Sequence, residues 1–257
     1  MEFPNLKNKY AEESMFTPQE FMAHQKRIGK YPKFKPPIGI IFCYRSSLME
    51  YILKKHNTTK VEGFYSEMYL LNETAGKVAI IGKFGIGAPA VVVLLEELIA
   101  FGVKKFISIG TAGTLQKNIP IGSLMVCKKA IRDEGTSHHY LKRSKYIYSP
   151  KDITQKIIDS LQKYKLGYFV GTSWTIDAPY RETMTEARKY QKEGVATVEM
   201  EASALFSVAQ YRDVEMGVIL TISDSLADSE WKPKFHLEKV KKQLGIIYKI
   251  AIDVLTN

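Results

Sequence analysis

Lys77-Val78-Ala79-Ile80-Ile81-Gly82-Lys83-Phe84-Gly85-Ile86-Gly87-Ala88-Pro89 decides how this chain folds. Residues 77–81 read as a strand: after Lys77 the run is apolar without alternation, the pattern of a strand buried on both faces. Glycines then cluster over residues 82–87. Pro89 opens an apolar run that ends at Phe101, and Gly102 follows. Proline suits the first position of a helix and glycine the position just past its end, so residues 89–101 read as a helix. A doubly buried strand that feeds a helix through a tight turn implies helices on both faces of a largely parallel or mixed sheet.

The same alternation extends outward. Upstream, residues 38–43 are a buried-strand run and residues 47–55 have helical spacing through Leu48, Tyr51 and Ile52. Residues 68–71 pair with 77–81 across Asn72-Glu73-Thr74-Ala75-Gly76. Downstream, strands are expected at 105–109, 124–127, 167–170, 196–198 and 217–222, with helices at 151–163 and 202–209. A last helix runs from about His236 to Leu255, with Leu237, Val240, Leu244, Ile247 and Ala251 on one face. No repeat or internal linker interrupts this order. The fold class is therefore α/β, a single domain over residues 38–257 with a central mixed β-sheet flanked by helices. Residues 1–37 form a polar lead-in that ends in Lys35-Pro36-Pro37, where a helix cannot continue. Within it Phe16-Thr17-Pro18-Gln19-Glu20-Phe21 predicts a short helix with Thr17 as N-cap, Pro18 first and Glu20 third.

At 257 residues, 45% hydrophobic and 25% charged, the chain has ample core for one such domain. It has no apolar run of membrane-spanning length, and residues 1–30 carry no signal-peptide pattern. Cys43 and Cys127 both sit in apolar runs and read as buried thiols, which suits a reducing, cytoplasmic setting. The net charge of +10 is thinly spread and lacks aromatic–basic interleaving. Neither nucleic acid nor a membrane is an expected partner, whereas a phosphorylated ligand is compatible with it.

Ligands of such sheets bind beyond the carboxyl ends of the strands. The segments placed there are the glycine loop at 82–88, then Gly110-Thr111-Ala112-Gly113, then Asp133 to Tyr140 with His138 and His139, then Thr172 to Thr183, then Val198-Glu199-Met200-Glu201-Ala202, and finally Ser223-Asp224. Glycine loops let backbone N–H groups approach an anion or a flat ring, but neither is a P-loop or a dinucleotide fingerprint, and either can be an ordinary tight turn. A carboxylate at a helix start can accept two hydrogen bonds from a vicinal diol, with the helix dipole keeping it ionised; an acidic first turn is also what any helix favours. Asp224 directly after an apolar strand can be a partly buried acid or a local turn cap. Adjacent histidines point in different directions and have no third ligand at metal spacing, so no metal is expected.

Taken in order, Gly85-Ile86-Gly87-Ala88-Pro89, Ile109-Gly110-Thr111-Ala112-Gly113, Val198-Glu199-Met200-Glu201-Ala202 and Ser223-Asp224 resemble the hexameric-type nucleoside phosphorylase family, from about Ile38 to Leu255. That family includes uridine phosphorylase, bacterial purine nucleoside phosphorylase and related nucleosidases, and the likeness is nearest to uridine phosphorylase-like members. The resemblance implies a phosphorylase/hydrolase-like fold and reversible phosphorolysis of a nucleoside to free base and ribose-1-phosphate. Inorganic phosphate would be the co-substrate and no cofactor would be needed. It implies Glu201 and Asp224 as catalytic residues; Met200, Glu201 and Thr111 against the ribose; and Ala112, Gly113, Trp174, Arg181 and Glu182 against the base. It also implies self-association as a dimer or trimer of dimers, with a residue donated by a neighbouring subunit. His24, His138 and His139 are the candidates for loop or neighbour contacts.

The phosphate side departs from the family pattern. Where the family has a Gly-Asp-Pro-x-Arg loop, this chain reads Cys43-Tyr44-Arg45-Ser46-Ser47-Leu48, and Ser108 stands where phosphorylases carry an arginine. Gly87, Thr111, Arg45 and Lys83 are the phosphate candidates that remain. The same departure keeps two alternatives open: a nucleoside hydrolase on this scaffold, and a nucleoside-binding protein with weak catalysis.

Overall fold

The computed structural model describes Leu6, residues 8–228 and residues 230–257. Residues 1–5 and Lys7 of the expected lead-in lie outside the described residues. In chain order the elements are α1 (Pro18–Arg27), β1 (Gly39–Cys43), α2 (Ser46–Lys55), β2 (Thr58–Val61), β3 (Glu67–Leu71), β4 (Val78–Gly82), α3 (Ala88–Phe101), β5 (Lys105–Thr114), β6 (Leu124–Asp133), β7 (Tyr146–Tyr148), α4 (Lys151–Lys163), β8 (Tyr168–Ile176), α5 (Met184–Lys192), β9 (Thr197–Glu199), α6 (Ala202–Arg212), β10 (Glu215–Ser225), β11 (Lys232–Pro233) and α7 (Glu238–Thr256).

The strands form one mixed sheet in which side chains alternate between two apolar layers. Ile40 and Phe42 of β1, with Ala79 and Ile81 of β4, face Val91, Leu95 and Leu98 of α3 and Leu205 and Val208 of α6. Ile41, Ile80 and Val78 face the other way, against Ile52 of α2, Ile157 of α4 and Leu244, Ile247 and Val254 of α7. Burial on both faces explains why β1 and β4 read as continuous apolar runs. Each such fully buried aliphatic side chain contributes about 1.5–3 kcal/mol. α1 packs on α3, and its start is a capping box: Glu20 N–H donates to Thr17 Oγ1 at 3.2 Å and Thr17 N–H donates to Glu20 Oε2 at 2.7 Å. No helix among the described residues is long and apolar enough to cross a membrane.

The sheet splits along β5. Its first half, Lys105 to Ile109, runs parallel to β1, while Gly113 and Thr114 pair antiparallel with β9. The opposite edge of β5 runs parallel to β10 throughout. β10 continues to β6, β6 to β8, and β8 to β9, so these five strands close a ring through β5. Residues 110–112 pair with neither β1 nor β9, and a crevice opens where the two strands part. This is the divergence of strand ends at which α/β sheets bind ligands.

Several strands run further than their apolar cores predicted. Gly110-Thr111-Ala112-Gly113 is not a loop but the second half of β5, held by β10. Residues 172–176 belong to β8, and Asp224 lies inside β10 beside a bulge between Ile222 and Asp224. The extensions carry Ser173, Thr175 and Ser223, all with no exposed surface, and each bonds to a buried carboxyl instead of water. Sequence spacing also left β2 and α5 unassigned. β2 is a half-exposed strand on the sheet edge, and α5 is mostly polar with only Ala187 and Tyr190 buried.

Candidate active site

The crevice holds a cavity of about 570 Å3. β5 supplies Ser108, Gly110, Thr111, Ala112 and Gly113, and the β9–α6 junction supplies Glu199, Met200 and Glu201. The β1–α2 junction adds Tyr44 and Arg45. Asp224, Trp231 and Phe235 come from β10 and the segment after it, and Glu182 from the turn after β8.

Two glutamates at the start of α6 have different tasks. Glu199 Oε1 accepts from Thr175 Oγ1 at 2.6 Å and Ser173 Oγ at 3.1 Å, and its Oε2 accepts the backbone N–H groups of Glu201 at 2.8 Å and Ala202 at 2.7 Å. With four donors it caps the helix and is spent structurally. Burial still pushes its carboxyl above the usual range. Glu201 is left to face the cavity. Its Oε1 accepts the backbone N–H of Gly87 at 2.6 Å. Burial first, and the neighbouring Glu199 second, push its carboxyl up to about 8. The expectation that the helix dipole keeps Glu201 ionised is therefore corrected: Glu199 occupies the first amides of α6, and desolvation outweighs the dipole.

Asp224 lies at the other end, buried. Its Oδ1 accepts from Ser223 Oγ at 2.8 Å and its Oδ2 from the indole N–H of Trp231 at 2.9 Å. A Cβ on Gly113 would stand 2.9 Å from Asp224 Oδ2 and 2.6 Å from Leu226 Cδ1, so only glycine leaves this end open. Glu182 borders the same end. Burial, then the charges of Asp224 and Glu186, push its carboxyl up to about 7. Between the ends, Tyr44 Oη and Ser108 Oγ are 3.2 Å apart, and the Arg45 guanidinium lies 5.5 Å from the ring centre of Phe235. Burial, then Glu201, push the Tyr44 hydroxyl well above its ordinary range, so it remains a donor.

Of the residues expected from sequence, Arg45, Thr111, Ala112, Gly113, Glu182, Met200, Glu201 and Asp224 share this cavity, and Gly87 reaches it through Glu201. Others do not. Trp174 is fully buried behind the wall; its indole donates to Asp133 Oδ2 at 2.8 Å and its ring lies 4.9 Å from that of Tyr190, so it is core. Arg181 is exposed on the short turn Pro179–Arg181, outside the lining. Lys83 points to β3, paired with Glu67 Oε1 at 2.9 Å. His24 is in the last turn of α1. His138 Nε2 lies 3.2 Å from the Arg132 carbonyl, and His139 Nδ1 lies 2.7 Å from Lys9 Nζ on the rim of a second cleft lined by Phe16, Phe21, Val93 and Tyr211. The loop carrying both is anchored by buried Arg132, which donates to Ser137, Leu141, Lys142 and Ser144. Among the described residues no cluster of three or more His, Cys, Asp or Glu could hold a metal.

Tyr44, Ser108, Trp231 and Phe235 were not expected as functional. Tyr44 directly follows β1, a position at which any side chain reaches the crevice. Trp231 and Phe235 stand out only as aromatics in an otherwise polar stretch.

Comparison with known proteins agrees with this geometry. The chain is 28% identical over 206 residues to a DeoD-type purine nucleoside phosphorylase of Bacillus cereus, covering 75% of this chain and 86% of that protein. Its fold is similar to purine nucleoside phosphorylase from Toxoplasma gondii, solved with immucillin-H, at a TM-score of 0.74 and 20% identity over 87% of this chain and 91% of that one. Uridine phosphorylase from Vibrio fischeri is similar at a TM-score of 0.68 and 23% identity, over 87% and 92% of the two chains. A sequence model of the phosphorylase superfamily matches residues 46–253, a span from the start of α2 almost to the end of α7 that takes in nearly the whole lining of the crevice, and the chain belongs to that superfamily.

Proposed function

We propose that this protein is a nucleoside phosphorylase, a pentosyltransferase that converts a nucleoside and inorganic phosphate to free base and ribose-1-phosphate, reversibly and without a cofactor. The observation that carries the reading is Glu201: a buried carboxyl on the wall of the cavity that accepts backbone N–H groups, those of Gly87 and Met200, in a cavity that Arg45 and Asp224 also line. A ribose there offers it two hydroxyl donors, and charge-assisted bonds of this kind restore the ionised form.

The chemistry follows from charge. As the C1′–N bond breaks, its electron pair goes to the base and the ribose becomes oxocarbenium-like; a phosphate oxygen forms the new bond to C1′. The Glu201 carboxylate holds the sugar, with Met200 and Thr111 beside it. Arg45, the Tyr44 hydroxyl, Ser108 and Thr111 are the phosphate's neighbours, and Ala112, Gly113, Glu182 and Asp224 are the base's. Positioning and electrostatics supply most of the rate.

A second reading, hydrolysis by water, is favoured by Ser108: among the described residues that line the cavity, Arg45 is the only Arg or Lys. One assay separates the two. Base release from uridine, inosine or adenosine is followed with and without phosphate, and ribose-1-phosphate is sought by phosphorus NMR. Phosphate-dependent release with the sugar phosphate as product is expected; release unchanged without phosphate would mean hydrolysis. In this reading residues 38–257 form the catalytic domain, the protein works in the cytoplasm, and it self-associates as a dimer or trimer of dimers through apolar surface such as the Phe16–Val93–Tyr211 cleft. Sedimentation velocity tests the last point.

A further inference from the structure

Asp224 is anchored from two sides. Ser223 Oγ donates to its Oδ1 at 2.8 Å, and the Trp231 indole N–H donates to its Oδ2 at 2.9 Å. A carboxylate offers about four acceptor positions, two on each oxygen, so one on each is left over. Oδ2 is also the oxygen beside Gly113, where a Cβ would stand 2.9 Å from it. The missing Cβ leaves Oδ2 approachable from β5, the side on which Ala112 and Gly113 border the base.

Burial does not account for the place of Trp231, which is 61% exposed. The backbone does. β11 turns antiparallel onto β10, with Pro233 opposite Asp224 and Lys232 opposite Ser225, and the Lys234 N–H donates to the Ser223 carbonyl at 3.0 Å. On the turn between the two strands, Asp228 holds Lys232 at 2.6 Å and Lys117 at 3.2 Å. The turn is thus tied down before any ligand arrives, and it carries Trp231 to Asp224 with the Phe235 ring centre 6.3 Å from its own. An aromatic left this exposed gains little stability from its position, whereas its one polar atom is spent on the acid of the site.

We infer that Trp231 is a positioning residue for this acid: its indole N–H fixes Asp224 Oδ2 against the base and meets the negative charge that develops there as the base departs. This rests on the nucleoside phosphorylase reading, with Asp224 as the acid. When the C1′–N bond breaks, its electron pair goes to the base, and the carboxyl proton of Asp224 passes to a ring nitrogen or exocyclic oxygen of that base. Asp224 is left as the carboxylate, and it takes the proton back in the synthetic direction. An indole N–H can only donate, so it bonds Oδ2 before and after the transfer. The bond is stronger after it, because hydrogen bonds to ions are roughly twice as strong as those between neutral groups. A donor whose bond tightens as charge develops acts on the barrier, and hence on kcat, more than on KM.

The experiment compares wild type, Trp231→Phe, Asp224→Asn and the double variant, all full-length, on two kinds of substrate. One is the ordinary nucleoside that the wild type cleaves. The other has a base that leaves without protonation: 7-methylguanosine for purines, 5-fluorouridine for pyrimidines. Trp231→Phe keeps a ring and removes the N–H. Its kcat on the ordinary nucleoside should fall about tenfold or more, the loss expected for a hydrogen bond to a charged group, while the nucleoside KM stays within about twofold. On the pre-activated substrate kcat should stay within about twofold of wild type, because no charge develops on Asp224. Added to Asp224→Asn, the same substitution should cost little further, since Trp231 acts through Asp224. Circular dichroism should match wild type, because the side chain is mostly exposed. An unchanged kcat in Trp231→Phe, a loss confined to KM, an equal loss on both substrates, or an undiminished loss in the Asp224→Asn background would overturn the inference and leave the phosphorylase reading standing. A wild type with no phosphate-dependent turnover on any nucleoside would overturn both.

Discussion

The backbone N–H of Gly87 and the carboxyl of Glu201, 114 residues apart, are joined by a 2.6 Å hydrogen bond at the wall of the cavity. Gly87 is the N-cap of α3 and sits at φ +95°, a conformation that side-chain-bearing residues rarely adopt. The amide that begins α3 is thus turned onto the acid that begins α6. The bond both orients Glu201 and favours its ionised form, against the burial that opposes it.

Glu201→Gln keeps the shape and removes the charged acceptor. Under the phosphorylase reading kcat/KM for the nucleoside should fall by a hundredfold or more, on the order expected for losing a charged transition-state contact. The fold should persist, because Glu199 and not Glu201 caps α6. Steady-state kinetics with circular dichroism on the same preparation checks both halves. Near-normal turnover would remove Glu201 from the mechanism.

Stability should depend on pH through the same residue. Folded Glu201 holds its proton up to about 8, against 4.5 ordinarily. Between those values the folded state binds more protons than the unfolded one, so stability falls as pH rises. This contribution is whole below about pH 4.5 and gone above about pH 8. Glu182 acts in the same sense up to about 7. Glu201→Gln cannot ionise, so without ligand its unfolding free energy should gain on that of wild type between pH 5 and pH 9, by about 4 kcal/mol, and its melting temperature should rise relative to wild type in step. A constant difference across that range would show that Glu201 titrates normally.

Gly113→Ala tests how tightly the base end is built. The new methyl would lie 2.6 Å from Leu226 Cδ1, 2.9 Å from Asp224 Oδ2 and 3.3 Å from Val198 Cγ1. Leu226 can give way only by turning into the cavity or away from β5. Overpacking of this kind costs about 1–3 kcal/mol. Activity should suffer more than stability, with KM for the nucleoside raised. A variant with unaltered KM would mean that the base does not reach Gly113.

Much of this was legible from sequence, and the remainder has physical causes. β1, β4 and α3 are apolar on the pattern that burial on two faces demands, so their order could be read directly, whereas Glu201 and Asp224 stood out as acids next to apolar strands and took their roles from the family resemblance. The outer half of β5 could not: Gly110-Thr111-Ala112-Gly113 has little strand character of its own and is extended because β10 and β9 pair with it. Ser173 and Thr175 read as loop residues because their burial depends on Glu199. Trp231 reaches Asp224 only because β11 turns back onto β10. Trp174 beside Arg181 and Glu182 in sequence gave no sign that the strand ends at Ile176 with Trp174 facing the core.

Arg45 and Lys83 were equal candidates for phosphate from sequence, and their surroundings now separate them. Arg45 precedes α2, lines the cavity within reach of Phe235, and takes part in no ion pair among the described residues. Lys83 stands outside the lining, and Glu67 holds it at 2.9 Å. A partly buried cation on a cavity wall is worth more to an anion than an exposed pair, because less water screens it. Arg45→Ala should therefore raise KM for phosphate at least about tenfold, equivalent to 1.4 kcal/mol, with the nucleoside KM changed much less. Lys83→Ala should leave both constants within about twofold, as expected for a surface pair worth less than about 1 kcal/mol. Initial rates over a phosphate series at saturating nucleoside decide it. The reverse outcome, a phosphate defect in Lys83→Ala and none in Arg45→Ala, would move the phosphate from the β1–α2 junction to the glycine loop before α3.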